Sequence, residues 1–258
     1  EDLVSAVPER KIEILEELSE LVIDSLVSSY LEDILQFTFD SSSLVRHQCL
    51  TLLTELFDRD SKAFDKYLID IASLTKDKHK KSRQAALELI AKASKKNPDK
   101  IESYINNIIK SMTVYDEEVV GKYAIIFIAL SNKKPRVALQ LLKNNIKNKD
   151  ENKRKNTLKI INNISEKKPK LSSNLIKDLT LLFASENERL YLDIADTLII
   201  LSKENQEKVG KNIANVIKNS INYNRKAKLG LMKVGFEVAK TNPSSMKKAV
   251  PRLSKELN

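Results

Sequence analysis

Few side chains in this 258-residue chain could carry covalent or metal chemistry. There are two histidines and one cysteine. His47 and Cys49 lie two positions apart. On a helix this turns them about 200° away from each other, so they cannot form a thiolate–imidazole dyad. His79 stands alone in the basic stretch KDKHKKSR. A zinc site needs four ligands in one place, and these three residues cannot supply it. The four glycines, at 121, 210, 230 and 235, form no phosphate-binding loop. Asp193 and Asp196, three apart on a helix, are the best carboxylate pair. Tyr191 and Tyr123 are the aromatics that could accompany them, and Trp is absent. The plain reading of this pair is a solvated helix face. The sequence therefore predicts no catalysis and no cofactor.

The elements that carry these residues recur along the chain. SKKNP (94–98) returns as SNKKP (131–135), as SEKKP (165–169) and more loosely as AKTNP (239–243). Two further columns keep the register. The first is Tyr30, Tyr67, Tyr104, Leu141, Leu175, Asn212 and Ala249. The second is Cys49, Ala86, Tyr123, Thr157, Ile194 and Leu231. A period of 34 to 37 residues indicates stacked supersecondary units. Residues 101–112 carry Tyr104, Ile105, Ile108, Ile109 and Met112 on one stripe. The helix expected over 117–132 carries Val119, Tyr123, Phe127 and Leu130 at helical spacing. No period-2 alternation is sustained, so no strand is expected.

Proline suits the first turn of a helix, where its missing N–H costs nothing. Pro98, Pro135, Pro169 and Pro243 are thus expected to open successive hairpins, with Asp24 and Ser61 at the corresponding N-cap positions where proline is absent. The lysines before each proline would complete the preceding helix and complement its negative end. Six hairpins follow, at about 24–60, 61–97, 98–134, 135–168, 169–205 and 206–242, in a single domain. End helices lie at 8–22, opened by Pro8, and at 244–256, where Pro251 distorts the chain.

The second helices resemble those of HEAT repeats, whose pattern is an Asp in the inter-helix turn, then Val-Arg, then Ala and Leu at helical spacing. Asp40, Val45, Arg46, Cys49 and Leu53 match best. Asp77, Ser82, Arg83, Ala86 and Ile90 follow with the valine replaced, and Lys153, Arg154, Thr157 and Ile161 keep the basic residue. The resemblance covers about residues 24–242. It implies an all-α, armadillo-like helical architecture: a right-handed α-solenoid whose second helices line a concave face. HEAT-like DNA glycosylases place an Asp on that face beside aromatic residues, which is the one enzymatic alternative the resemblance offers.

The chain carries 45 Lys and Arg against 35 Asp and Glu. The charge is uneven, for residues 1–40 hold eleven acids and only two bases, Arg10 and Lys11. In a stacked repeat, equivalent loops align. Lys95, Lys96 and Lys100 would then lie near Lys133, Lys134 and Arg136, and these near Lys167, Lys168 and Lys170, about 10 Å per hairpin. Arg46, Arg83, Arg154 and Lys228 make a second basic column, interrupted by Val120 and Tyr191. Such rows suit acidic peptides or phosphate backbones. The inner column Thr51, Glu88, Ile125, Lys159, Asp196 and Lys233 is mixed in sign and lacks stacking aromatics, which argues against a groove built for nucleic acid.

The expected function is a non-enzymatic protein-interaction scaffold that binds a partner on its concave face and basic edge. The alternatives are a nucleic-acid-binding HEAT-like protein or a fragment of a larger adaptin-like or condensin-like subunit. Head-to-tail self-association is a further reading, through the acidic helix of Glu13, Glu16, Glu17 and Glu20. One cysteine and no apolar run of about 20 residues fit a reducing, cytoplasmic setting without a membrane span.

Overall fold

The computed structural model describes residues 5–21, 27–113, 116–185, 189–220, 222–249 and 251. Among the described residues the regular structure is helical, and no strand occurs. The chain divides into two compact units, Glu1–Met112 with Asp116–Lys133, and Thr113–Tyr115 with Lys134–Asn258.

In the first unit, α1 (Pro8–Leu21) precedes three hairpins: α2 (Val27–Gln36) with α3 (Ser43–Arg59), α4 (Leu68–Ser73) with α5 (Lys80–Lys96), and α6 (Ile101–Ser111) with α7 (Glu117–Lys133). The second helices α3, α5 and α7 stack in sequence, and α1 packs on α3 as one more member of that row. In the second unit, α8 (Pro135–Ile146) pairs with α9 (Glu151–Lys167). The short α10 (Pro169–Ser172) and α11 (Ile176–Leu181) precede the long α12 (Tyr191–Lys218), and α13 (Arg225–Thr241) follows it. Residues 243–246 then form a 3₁₀ turn against α12 and α13. That turn stands where the sequence suggests the start of the helix over 244–256. Residues 252–258 lie outside the described residues, as does Asp24.

The prolines open helical segments as their fixed φ requires. Pro98 begins a 3₁₀ turn that runs into α6, Pro135 begins α8, Pro169 begins α10 and Pro243 begins the last turn. The residue before each proline is barred from the α region. Asn97, Lys134, Lys168 and Asn242 accordingly share φ of −123 to −142° and ψ of 63 to 71°. Asp60 ends α3 in a similar conformation, φ −136° and ψ 86°. There the Asp60 carboxylate, not Ser61, caps the following turn, accepting from the backbone N–H of Lys62 at 3.1 Å and of Ala63 at 3.3 Å. Asn205, at φ −136° and ψ 38°, breaks α12 into two helices at the same point of the repeat. Gln206 follows it instead of proline, and the two helices run on through the kink.

The core follows the repeat. Cys49, Ala86, Tyr123, Thr157, Ile194 and Leu231 are all buried. The Tyr30 column is not uniform, because Tyr104 and Leu175 are buried whereas Tyr30 is 44% exposed. Tyr30 lies on α2, and no earlier first helix covers it among the described residues. Burial of the core column alone accounts for about 1.5–3 kcal/mol per large apolar side chain. Gly210 allows the closest approach in the second unit, since a Cβ there would lie 2.0 Å from Ser245 Oγ.

Candidate functional site

The turns inside three of the hairpins share one design, built from an Asp or Asn and an Arg six residues later. Asp40 Oδ1 accepts from the Ser42 N–H at 2.8 Å, Asp77 Oδ1 from the His79 N–H at 2.8 Å, and Asn148 Oδ1 from the Asp150 N–H at 2.9 Å. This side chain replaces a backbone turn and aims the chain into the second helix. The arginine then reaches back over the turn. Arg46 Nη1 donates to the carbonyls of Asp40 at 2.8 Å and Ser41 at 3.0 Å. Arg83 Nη1 does so to Asp77 at 2.9 Å and Lys78 at 3.0 Å, and Arg154 Nη1 to Asn148 at 2.8 Å and Lys149 at 3.2 Å. These carbonyls precede the helix and have no ladder partner, so the guanidinium satisfies them.

Arg46 does more. Its Nε and Nη2 hold both oxygens of Asp77, in the next hairpin, at 2.7 and 2.9 Å. The pair is largely withdrawn from solvent. Burial pushes the Asp77 carboxyl up, but the Arg46 hydrogen bonds, the His79 N–H and the nearby charges outweigh it, and the net shift is down. In the preceding hairpin Lys11 of α1 serves Asp40 likewise, with Nζ 2.8 Å from Asp40 Oδ2. Burial again pushes Asp40 up, and Lys11, the Ser42 N–H and Arg46 bring it below the ordinary range. Lys11 and Asp77 were not legible as site residues in the sequence. The signal was present, however, as the repeated spacing of six between Asp40 and Arg46, Asp77 and Arg83, and Asn148 and Arg154. Lys228, the last member of that column, is half-buried on α13.

The opposite ends of the hairpins carry the lysines that flank the prolines. In the first unit Lys95 and Lys96 end α5 and are exposed. Lys96 Nζ donates to the Asp58 carbonyl at 3.3 Å and lies 5.3 Å over the Phe57 ring. Lys100 lies 3.9 Å from Asp65, and Lys133 lies 3.4 Å from Asp99. In the second unit Lys134 and Arg136 are exposed at the start of α8. Lys167, Lys168 and Lys170 surround Pro169, Lys168 half-buried and the others exposed. Among the described residues no acid pairs with Arg136, Lys167, Lys168 or Lys170.

The solvent-exposed side of the second helices is knit together by charge. In the first unit Lys92 lies 2.5 Å from Asp58, Lys122 pairs with Glu88, and Lys80 lies 3.1 Å from Glu118. In the second, Lys233 lies 2.5 Å from Asp196. Asp196 is therefore paired with a lysine, not poised beside Asp193 for acid–base work. Tyr191 is buried, stacked on Phe183 at 6.0 Å, with its hydroxyl donating to the Ser185 carbonyl and accepting from Asn224 Nδ2 at 2.9 Å. Tyr123 is buried with its hydroxyl 3.1 Å from Ser111 Oγ. Neither ring is available to a base or substrate.

Cys49 is buried with its thiol donating to the Ile34 carbonyl, and burial pushes its pKa far above the ordinary thiol range. His47 is half-buried, not exposed as its helix position suggests. Burial, then Lys81 and His79, lowers its pKa. No group of three metal-ligating side chains occurs among the described residues, and no described helix is long and apolar enough to cross a membrane. A shallow recess at the Asn205 kink is lined by Glu204, Glu207, Lys208 and Lys211, with no consistent charge.

No family model matches the sequence, and no curated protein matches it. Solved structures do. The TOG domain array protein crescerin, which regulates microtubules in the primary cilium, is 16% identical. The match covers 92% of this chain and 90% of that one, with a TM-score of 0.52. A designed armadillo repeat protein is 15% identical over 80% of this chain and 98% of its own, with a TM-score of 0.40. A second designed armadillo repeat protein, in complex with the peptide (KR)4, is 11% identical over 92% of this chain and 96% of its own, with a TM-score of 0.42. The likeness to the TOG array shows the fold, an α-solenoid of HEAT-like and armadillo-like helical hairpins.

Proposed function

We propose that this solenoid is a non-enzymatic protein-interaction scaffold whose basic loop edge takes an acidic segment of a partner protein. One observation carries this reading: among the described residues no acid pairs with Arg136, Lys167, Lys168 or Lys170 at one hairpin end of the second unit, whereas at the loops of the first unit Lys96, Lys100 and Lys133 are held by Asp58, Asp65 and Asp99. Lys95 is the corresponding unpaired base of the first unit. Such lysines can meet a partner's carboxylates without first leaving an internal partner, and the field they make also speeds encounter. The paired charges along the second helices offer a partner polar contacts and no net field.

Nucleic acid is the competing ligand for a row of bases. No aromatic residue lies between Phe127 and Phe183, the stretch that holds Arg136, Lys167, Lys168 and Lys170, so these bases lack the stacking platforms that single strands use beside them, which favours the acidic protein segment. Fluorescence anisotropy decides between them, with a labelled 20-residue Glu- and Asp-rich peptide and a labelled 20-base-pair duplex, each titrated across a salt series. The account expects the peptide to bind and Lys167→Glu with Lys170→Glu to weaken it at least tenfold. Duplex binding tighter than peptide binding, lost in the same variant, would transfer the surface to nucleic acid. Peptide binding indifferent to the variant would remove the edge from the account.

A further inference from the structure

The second helix α13 presents an exposed apolar stripe whose central position, Met232, is covered in its predecessors. α13 buries Ala227, Leu231, Val234 and Val238. On its other side Leu229, Met232 and Phe236, spaced i, i+3 and i+7, are 58%, 37% and 67% exposed. Leu192, on α12 at the register position of Leu229, is also exposed. The repeat shows what such a face is for. The counterparts of Met232 in the earlier second helices, Leu50, Leu87, Ala124, Leu158 and Ala195, are at most 2% exposed. Inside the first unit the element stacked on a second helix is the next second helix, α5 on α3 and α7 on α5; inside the second, α12 packs on α9 and α13 on α12. The stripe on α13 therefore has the shape of a seat for one more helix, and no described residue occupies it.

Its rim identifies the chemistry of the occupant. Arg225 and Lys226 are exposed at the start of the helix. Lys233 stands beside the stripe, and Lys240 Nζ lies 4.8 Å over the Phe236 ring. Asp196 and Glu237 neutralise Lys233 and Lys240, so the net positive charge of the rim rests on Arg225 and Lys226. Two copies of α13 facing each other would bring their bases together. The exposed side of α1 offers Glu9, Glu13, Glu16, Glu17 and Glu20, which supply charge without an apolar ridge to fill the stripe. We infer that the Leu229–Met232–Phe236 face of α13 docks an amphipathic helix of another protein, one with apolar residues at i, i+3, i+4 and i+7 and acidic residues on both flanks. This is helix-in-groove recognition, with the stripe for affinity and the rim for orientation.

The site is separate from the lysine edge, so its test fails or succeeds alone. The probe is a labelled 18-residue peptide with Leu at those four spacings and Glu on the flanks. Its controls are the same peptide with Lys for Glu and one with the Leu positions scrambled. Anisotropy titrations on the full chain are expected to show saturable binding of the Glu peptide and at least tenfold weaker binding of both controls. Phe236→Glu and Leu229→Glu, both at exposed positions, should each lower affinity tenfold or more with the thermal midpoint unchanged, while Lys167→Glu with Lys170→Glu leaves it intact. Absence of saturable binding, equal binding of the scrambled peptide, or indifference to Phe236→Glu would overturn the inference. So would sedimentation showing a dimer of the chain alone that Phe236→Glu dissociates, since the seat would then belong to a second copy.

Discussion

The two ends of the hairpins carry similar residues to different ends. At the turn inside a hairpin, Arg46, Arg83 and Arg154 are folded back on carbonyls of their own chain, and Arg46 also grips Asp77 of the next hairpin. At the loop between hairpins, Lys95, Lys167 and Lys170 reach into solvent. Guanidinium is planar and forked, so one side chain can satisfy two carbonyls and a carboxylate at once. An ammonium on a long stem remains hydrated and suits a loop. Basic charge here thus divides by place: at the turns Arg46, Arg83 and Arg154 close the fold, and at the loops between hairpins Lys95, Arg136, Lys167 and Lys170 stand exposed.

The largest effect should come from cutting the fastener. Arg46→Ala strands the buried Asp77 carboxylate and two carbonyls, and should cost about 3 kcal/mol in urea unfolding. Arg83→Ala, which frees two carbonyls, should cost about 1–2 kcal/mol. Small costs for both would show that the turn arginines do not fasten the fold.

Acid should reveal the same fastener. The folded carboxyls of Asp40 and Asp77 titrate below their unfolded value of about 3.9. The stability they contribute is complete above that value and is lost as pH falls through the lower folded values. The unfolding free energy should therefore drop steeply below about pH 4. His47, lowered by burial, adds a shallower loss that begins near 6.5. The penalty of Arg46→Ala should shrink across the acid limb, because Asp77 becomes neutral in both proteins. A penalty independent of pH would place the cost in packing instead.

Gln206→Pro probes the lysine-side junction. Asn205 already has a backbone close to that of the residues before Pro98, Pro135 and Pro169. This substitution should change stability by less than about 1 kcal/mol. Ile213→Pro, inside the same helix, should cost about 3 kcal/mol or more. At the edge itself, Lys167→Glu with Lys170→Glu should stay within about 0.5 kcal/mol of wild type. A larger loss would mean that these lysines also fasten the fold.

Much of the architecture was legible because the constraints on it are local. Proline can open a helix and little else, and the column from Cys49 to Leu231 repeats small or apolar residues at every buried crossing. The kink at Asn205 was legible in register, though no proline marks it. What the sequence concealed was partnership. Arg46 and Lys167 both read as bases in a row, and nothing local reveals that the arginine meets Asp77, 31 residues on, while the lysine is exposed to water. The apolar stripe of α13 was hidden for a similar reason. Met232 matches a column of core residues, and its exposure depends on whether a further helix packs on it, not on its own type.

Lysine labelling read by mass spectrometry, with and without the acidic peptide, tests the central division of labour most directly. The account predicts that the peptide protects Lys95, Lys167, Lys168 and Lys170, while Lys11, held by Asp40, stays unreactive in both states. Protection confined to other lysines, or a Lys11 as reactive as the edge, would contradict it.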